Sequence, residues 1–269
     1  MQSQAIKTEN KKNRDMKQKF FIVVAVVAAA LMAMGFAAAP KEKYKSIALQ
    51  GNYEQLIVNG AFDVALCDTV KEIRVYAPEV VQKHLTVEQE KGTLRIAMRR
   101  DVRFKLKERP RVLVPVRESV KYIELNGAAA LSMGKLQRET LEIYLTGSSR
   151  LQGSFEGKQI SIEQAGASDL KAHVAVDNVF LNLSGASSTE LRGRALIKME
   201  MGMIESTSLD AEKLEAKRIE GSMDGGCNAI LWCTERMHVP VRNASHLVYI
   251  GRPVVVNCPT SDVSTVTHK

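Results

Sequence analysis

Three features of the sequence predict an all-β protein built as a parallel β-helix. First, a six-residue phrase recurs four times between Tyr122 and Arg194: Tyr-Ile-Glu-Leu-Asn-Gly, Glu-Ile-Tyr-Leu-Thr-Gly, Ser-Ile-Glu-Gln-Ala-Gly and Phe-Leu-Asn-Leu-Ser-Gly. Second, its glycines, Gly127, Gly147, Gly166 and Gly185, are 20, 19 and 19 residues apart, a period that marks a solenoid. Third, apolar and polar residues alternate within each phrase, Ile123 and Leu125 against Glu124 and Asn126, as in a strand with one buried face. One such strand cannot hide that face alone. If each unit is one coil, equivalent strands lie about 4.8 Å apart in a parallel sheet and stack their apolar side chains inside. An antiparallel sandwich or barrel would instead give turn signals roughly every 8 to 12 residues, without a phrase recurring near twenty.

Each glycine is followed by small residues, Ala128-Ala129-Ala130, Ser148-Ser149, Ala167-Ser168 and Ala186-Ser187-Ser188, and then by Leu131, Leu151, Leu170 and Leu191. The glycines therefore mark a structural corner. A corner repeated in every coil stacks on itself, so bulky side chains would collide there, and glycine supplies the positive φ of a sharp bend.

Residues 1–39 read as a signal peptide. The polar stretch Met1 to Lys19 carries six basic residues, the apolar run Phe20 to Phe36 carries no charge, and Ala37-Ala38-Ala39-Pro40 offers a cleavage site after Ala39. A start at Met16 gives a leader of ordinary length, and a start at Met1 gives a long basic region. The alternative is an uncleaved anchor helix, for which the run is slightly short; the leader is then the chain's only link to a membrane. Six of the 38 basic and two of the 30 acidic residues lie in the leader, which leaves 32 against 28, a net of +4. That mild excess makes no case for nucleic acid as a partner. An extracytoplasmic location follows: periplasm, outer-membrane surface or medium.

Residues 40–52 form a polar lead-in, and a single domain is expected over 53–256. Its first strands are Gln55 to Gly60, Ala61 to Leu66 and Glu72 to Ala77. Val80 to Leu85 reads as a helical turn or loop, Thr86 to Glu88 returns to strand, and Gly92 turns the chain into Thr93 to Met98. This third has strands but no nineteen-residue beat, as expected of atypical units that cap a solenoid.

The opening Leu56-Ile57-Val58-Asn59-Gly60-Ala61-Phe62-Asp63-Val64-Ala65-Leu66, the turn Lys91-Gly92-Thr93-Leu94-Arg95-Ile96, the Gly-Ala-Ser-x-Leu phrases and the closing Tyr249-Ile250-Gly251-Arg252-Pro253 together resemble the head GIN domain family of auto-transporter adhesins of Bacteroidetes. That family is a domain of unknown function. The resemblance spans nearly all of the chain after the leader. It implies a right-handed parallel β-helix outside the cytoplasm, and it carries over no catalytic residues.

Between Arg99 and Arg111 lie Arg99, Arg100, Arg103, Lys105, Lys107, Arg109 and Arg111 against only Asp101 and Glu108. Val102, Phe104 and Leu106 alternate with the cations, so a strand here would present a positive row. Such a row suits sulfate, phosphate or uronate groups of a surface glycan or lipopolysaccharide. The plainer alternative is a solvated strand whose lysines prevent edge-to-edge aggregation. Arg99, Arg100, Arg103, Lys105 and Lys107 are the candidate contacts for an anionic ligand.

Past Arg194 the beat weakens, with Glu205 standing in a glycine place. Residues 257–269 are polar and lack alternation, and read as a disordered tail. Cys67, Cys227, Cys233 and Cys258 allow three disulfide pairings, among which spacing does not choose, and free buried thiols are the alternative. The five histidines fit no metal spacing, and no phosphate-cradling loop, nucleophile elbow or paired Cys-x-x-Cys is present, so no cofactor and no metal are called for. Two classes of function remain. One is a non-catalytic, adhesin-like binding module whose partner is a surface glycan or another envelope protein. The other is a polysaccharide lyase or glycoside hydrolase on a β-helix scaffold, which needs clustered carboxylates or an Arg and Lys set around a cleft, and such a cluster could assemble from different coils.

Overall fold

A computed structural model describes residues 44–99 and 109–269. The predicted leader, residues 1–39, lies outside these residues. The described chain is almost entirely β, and its parallel strands stack as coils.

Two strands make a coil. β8 (Tyr122–Gly127) and β9 (Ala130–Gln137) form one, and β10 (Thr140–Leu145) and β11 (Arg150–Glu156) form the next, with β8 parallel to β10 and β9 parallel to β11. β12 (Gln159–Gln164) continues the first ladder, and β13 (Asp169–Leu183) serves both: residues 169–175 lie on β11, and residues 178–183 lie on β12. β14 (Ser188–Ile204) and β15 (Ser208–Asp224) repeat this arrangement. They are followed by β16 (Asn228–His238), β17 (Val241–Arg242), β18 (His246–Ile250), β19 (Val255–Asn257) and β20 (Thr265–His268).

The core is the inward side of these ladders. Ile123, Ile143, Ile162, Leu181 and Met201 are register partners in succession, all buried. Leu131, Leu151 and Leu170 stack the same way on the facing sheet, but the next partner is Thr189 rather than Leu191. Leu191 instead pairs with Ala172, so the fourth phrase is offset by two residues from the simple reading of the repeat. Thr189 is accommodated because Gln164, one coil away, also occupies an inward position. Its carbonyl oxygen accepts from the Thr189 hydroxyl, and its amide donates to Ser168 Oγ at 3.1 Å and Ser188 O at 3.3 Å. A buried polar group so partnered avoids the cost of desolvation without a hydrogen bond.

Each coil turns twice. The tight turn falls at the repeating glycines: Gly127, Gly147, Gly166 and Gly185 have φ of 80°, 73°, 75° and 78°. The carbonyl of each accepts a backbone N–H from the next coil, as in Ser148 N to Gly127 O at 2.6 Å. A Cβ on Gly147 would stand 2.5 Å from that same oxygen, so both conformation and space demand glycine. Of the small residues that follow, Ser148, Ala167 and Ala186 face out, while Ala129, Ser149, Ser168 and Ser187 are buried inside the corner. In β13, β14 and β15 the second turn is crossed in extended conformation, with register shifts such as the one between Val176 and Asn178.

The first coil in the chain is not the first in space. β2 (Gln55–Gly60) lies between β6 (Thr93–Met98) and β8, and β3 (Asp63–Cys67) lies between β7 (Arg111–Pro115) and β9. Between these coils the chain forms β4 (Ile73–Tyr76), a short helix α1 (Glu79–Gln82) and β5 (Leu85–Glu90). β4 runs antiparallel to β7 and β5 antiparallel to β6, while β1 (Lys45–Ile47) runs antiparallel to β4. Reversal of strand direction closes this end of the stack. At the other end the expected tail is corrected. β20 pairs in parallel with β18 over four residues, and Val266 follows Leu247 in the inward column. The polar composition of residues 257–269 hid a strand of alternating Thr and Val whose outward side is threonine.

Candidate functional site

The basic row falls in the sequence between β6 and β7. β6 ends at Met98 and β7 begins at Arg111, so residues 99–110 separate them in the sequence, where two residues separate β8 from β9. The cationic segment is thus an insertion in the sequence between the two strands of the end coil. Arg99 lies at its start, its backbone N–H donating to His84 O at 2.9 Å. Arg100, Arg103, Lys105 and Lys107 lie outside the described residues. The returning end is anchored: Arg109 reaches Asp63 Oδ1 at 3.2 Å and donates to Phe62 O at 3.3 Å, both on the neighbouring coil. Burial pushes the Asp63 carboxyl above its usual range, with Arg109 and Arg150 pulling it back down.

The outward side of the sheet formed by β8, β10, β12 and the second half of β13 carries a denser constellation. Tyr122, Glu142, Ser161 and Phe180 form one outward row and Glu124, Tyr144, Glu163 and Asn182 the next. Glu124, Glu142 and Glu163 therefore do not stack, because Glu142 belongs to the neighbouring row. Near β8 the polar groups satisfy one another. Tyr122 Oη donates to Glu124 Oε2 at 2.8 Å, Asn126 Nδ2 donates to Glu124 Oε1 at 2.6 Å and to Asn59 Oδ1 at 2.7 Å, and Thr146 Oγ1 donates to Asn126 Oδ1 at 2.6 Å. The Tyr122 and Tyr144 rings lie 5.1 Å apart at 31°. Burial, followed by the Glu124 carboxylate, raises the Tyr122 phenol well above its ordinary value, so it stays a hydrogen-bond donor at any physiological pH. Toward β13 the short side chain of Ser161 leaves a recess of about 260 Å³ lined by Tyr144, Gln159, Ser161, Glu163, Phe180 and Asn182. Nothing in the single-strand pattern signals this recess, since its walls come from three coils.

A larger open hollow of about 560 Å³ lies at the second turn, around Arg138, Glu139, Gly157 and Lys158. Its carboxylates are already paired, Glu139 with Lys158 at 2.6 Å and Glu156 with Lys135 at 2.5 Å, and Arg138 donates to the carbonyls of Gln137 and Arg117. Among the described residues no three His, Cys, Asp or Glu side chains come together to hold a metal ion, and no helix is long and apolar enough to cross a membrane. The four cysteines are free thiols, with Cys67, Cys227 and Cys233 buried and Cys258 half-buried. Burial raises the pKa of Cys67, Cys233 and Cys258, which disfavours the reactive thiolate.

A stack of parallel coils, closed at one end by antiparallel strands and turned at glycine corners, defines the protein as a β-solenoid. Residues 52–253 match the family described as "Putative auto-transporter adhesin, head GIN domain", and the chain belongs to that family. Solved structures share the fold. A "putative adhesin" from Parabacteroides distasonis superposes with a TM-score of 0.77 at 16% identity, over 86% of this chain and 98% of that one. A "putative lipid binding protein" from the same species gives 0.72 at 17%, and a "putative adhesin" from Parabacteroides merdae gives 0.73 at 14%, each with the same coverage. No curated protein matches the sequence.

Proposed function

We propose that the protein is a non-catalytic, exported binding module of the cell envelope, adhesin-like, which holds an anionic surface glycan through the cationic corner insertion. The observation that carries this reading is the replacement of a two-residue corner by residues 99–110, five of whose first nine residues are Arg or Lys, on the end coil. A cationic segment carried by a stack of coils needs no positioned acid or base to retain sulfate, phosphate or uronate groups. Membership of an adhesin family supports a surface role, and the leader supplies the export route.

The test is a glycan array and turnover screen on the chain secreted by its native host. N-terminal sequencing should give Pro40, and an intact leader would argue for an anchored form. Binding to sulfated or uronate-rich glycans should weaken with salt, because ions screen exposed contacts. It should be lost in a folded Arg103→Glu, Lys105→Glu, Lys107→Glu variant. Binding unaffected by the triple substitution would refute the insertion as the contact, and new unsaturated or reducing sugar ends would establish the enzyme instead.

A further inference from the structure

We propose that the recess between Tyr144, Ser161 and Phe180 is a subsite for a single neutral hexopyranose ring, separate from the cationic insertion and of opposite electrostatic character. Tyr144 and Phe180 stand on strands two rungs apart, with β12 between them, so they are about 10 Å apart across the sheet. Ser161 supplies the floor, and the resulting space of about 260 Å³ suits one small ring rather than an extended chain. The two aromatic walls are half-buried and therefore held in place. Tyr144 is backed on its far side by Tyr122. Phe180 carries the Lys198 ammonium 5.2 Å from its ring centroid. Aromatic faces offer their negative quadrupole to the weakly positive C–H face of a sugar.

The polar rim sets the chemistry further. Glu163 and Asn182 are exposed at the mouth, and Gln159 lies beside the floor. A carboxylate accepts only, while the two amides both donate and accept, which matches an arc of hydroxyl groups. Glu142 and Glu163 repel an anion, and the ammonium of Lys198 is paired with Glu200 at 2.8 Å. A cationic ligand would gain from the carboxylates and the rings but has no use for the amides.

Saturation-transfer NMR with methyl glucoside, methyl galactoside, methyl mannoside and N-acetylglucosamine tests the proposal directly. At least one should receive saturation at its ring C–H protons. Ser161→Tyr should abolish the effect by filling the recess, on an outward strand position that tolerates tyrosine. Phe180→Ala should weaken binding by about tenfold, the loss of one aromatic contact. The Arg103→Glu, Lys105→Glu, Lys107→Glu variant should bind the glycoside unchanged, which separates this subsite from the insertion. Transfer that survives in Ser161→Tyr, transfer to none of the four sugars, or binding of tetramethylammonium in their place would overturn it.

Discussion

At the residue scale, the corner column changes residue type after Gly185, to Glu205 and later to Asn243, both at positive φ. Gly127, Gly147, Gly166 and Gly185 take positive φ, and so does Glu205 at 69°. A left-handed conformation costs a residue with a Cβ about 1–2 kcal/mol, and the Glu205 side chain is exposed, with no ion pair among the described residues to offset that cost. Glu205→Gly should therefore stabilise the protein by about 1 kcal/mol in urea unfolding, the relief of strain exceeding the added freedom of the unfolded chain. Gly166→Ala should do the reverse. Its Cβ would lie 2.8 Å from Gly147 O at a φ of 75°, and a loss of about 1–3 kcal/mol is expected.

At the element scale, β12, β13 and β14 are joined by a polar link inside an otherwise apolar stack. Gln164 stands in the inward column with Leu145 and Leu183, and Thr189 with Leu170 and Leu209. Thr189→Val strands the Gln164 carbonyl and should cost about 1–3 kcal/mol, whereas Gln164→Leu combined with Thr189→Val should be nearly neutral. A double-mutant cycle by chemical denaturation reads the difference, and strict additivity would mean the two do not act as a pair. Leu170 is fully buried on β13, so Leu170→Asp should leave no cooperative unfolding transition, while Ala167→Ser at the exposed corner should change little.

At the scale of the whole molecule, the two ends differ. The first is closed by β4 and β5 running antiparallel to the stack. At the last coil, Val254, Val256 and Val263 are 88%, 42% and 74% exposed, although Val256 continues the inward column of Ile219 and Met237. Local opening should begin there, because few apolar contacts hold the coil. Cys258 lies in that coil and should be alkylated by iodoacetamide under native conditions, with Cys67, Cys227 and Cys233 protected until global unfolding. Mass spectrometry of the labelled thiols checks the order.

The coils and their glycine corners were legible in residues 122–194 because each is specified locally, by an alternation of period two and by a steric demand that recurs every nineteen or twenty residues. Three matters lay beyond local pattern. The placing of β6 and β7 beneath β2 and β3 depends on which strand edges remain unpaired, a choice among partners distant in the chain. The polar composition of residues 257–269 concealed β20, a short strand whose place depends on the edge that β18 leaves for it. The recess on the outer sheet was invisible for the same reason, since Tyr144, Ser161 and Phe180 become neighbours only when three coils are stacked in register. The sequence by itself determined what each coil is, through contacts between residues near in the chain or one repeat apart. Tertiary structure alone decided the order of the coils and what their outer faces bring together, because those depend on competition between long-range strand pairings.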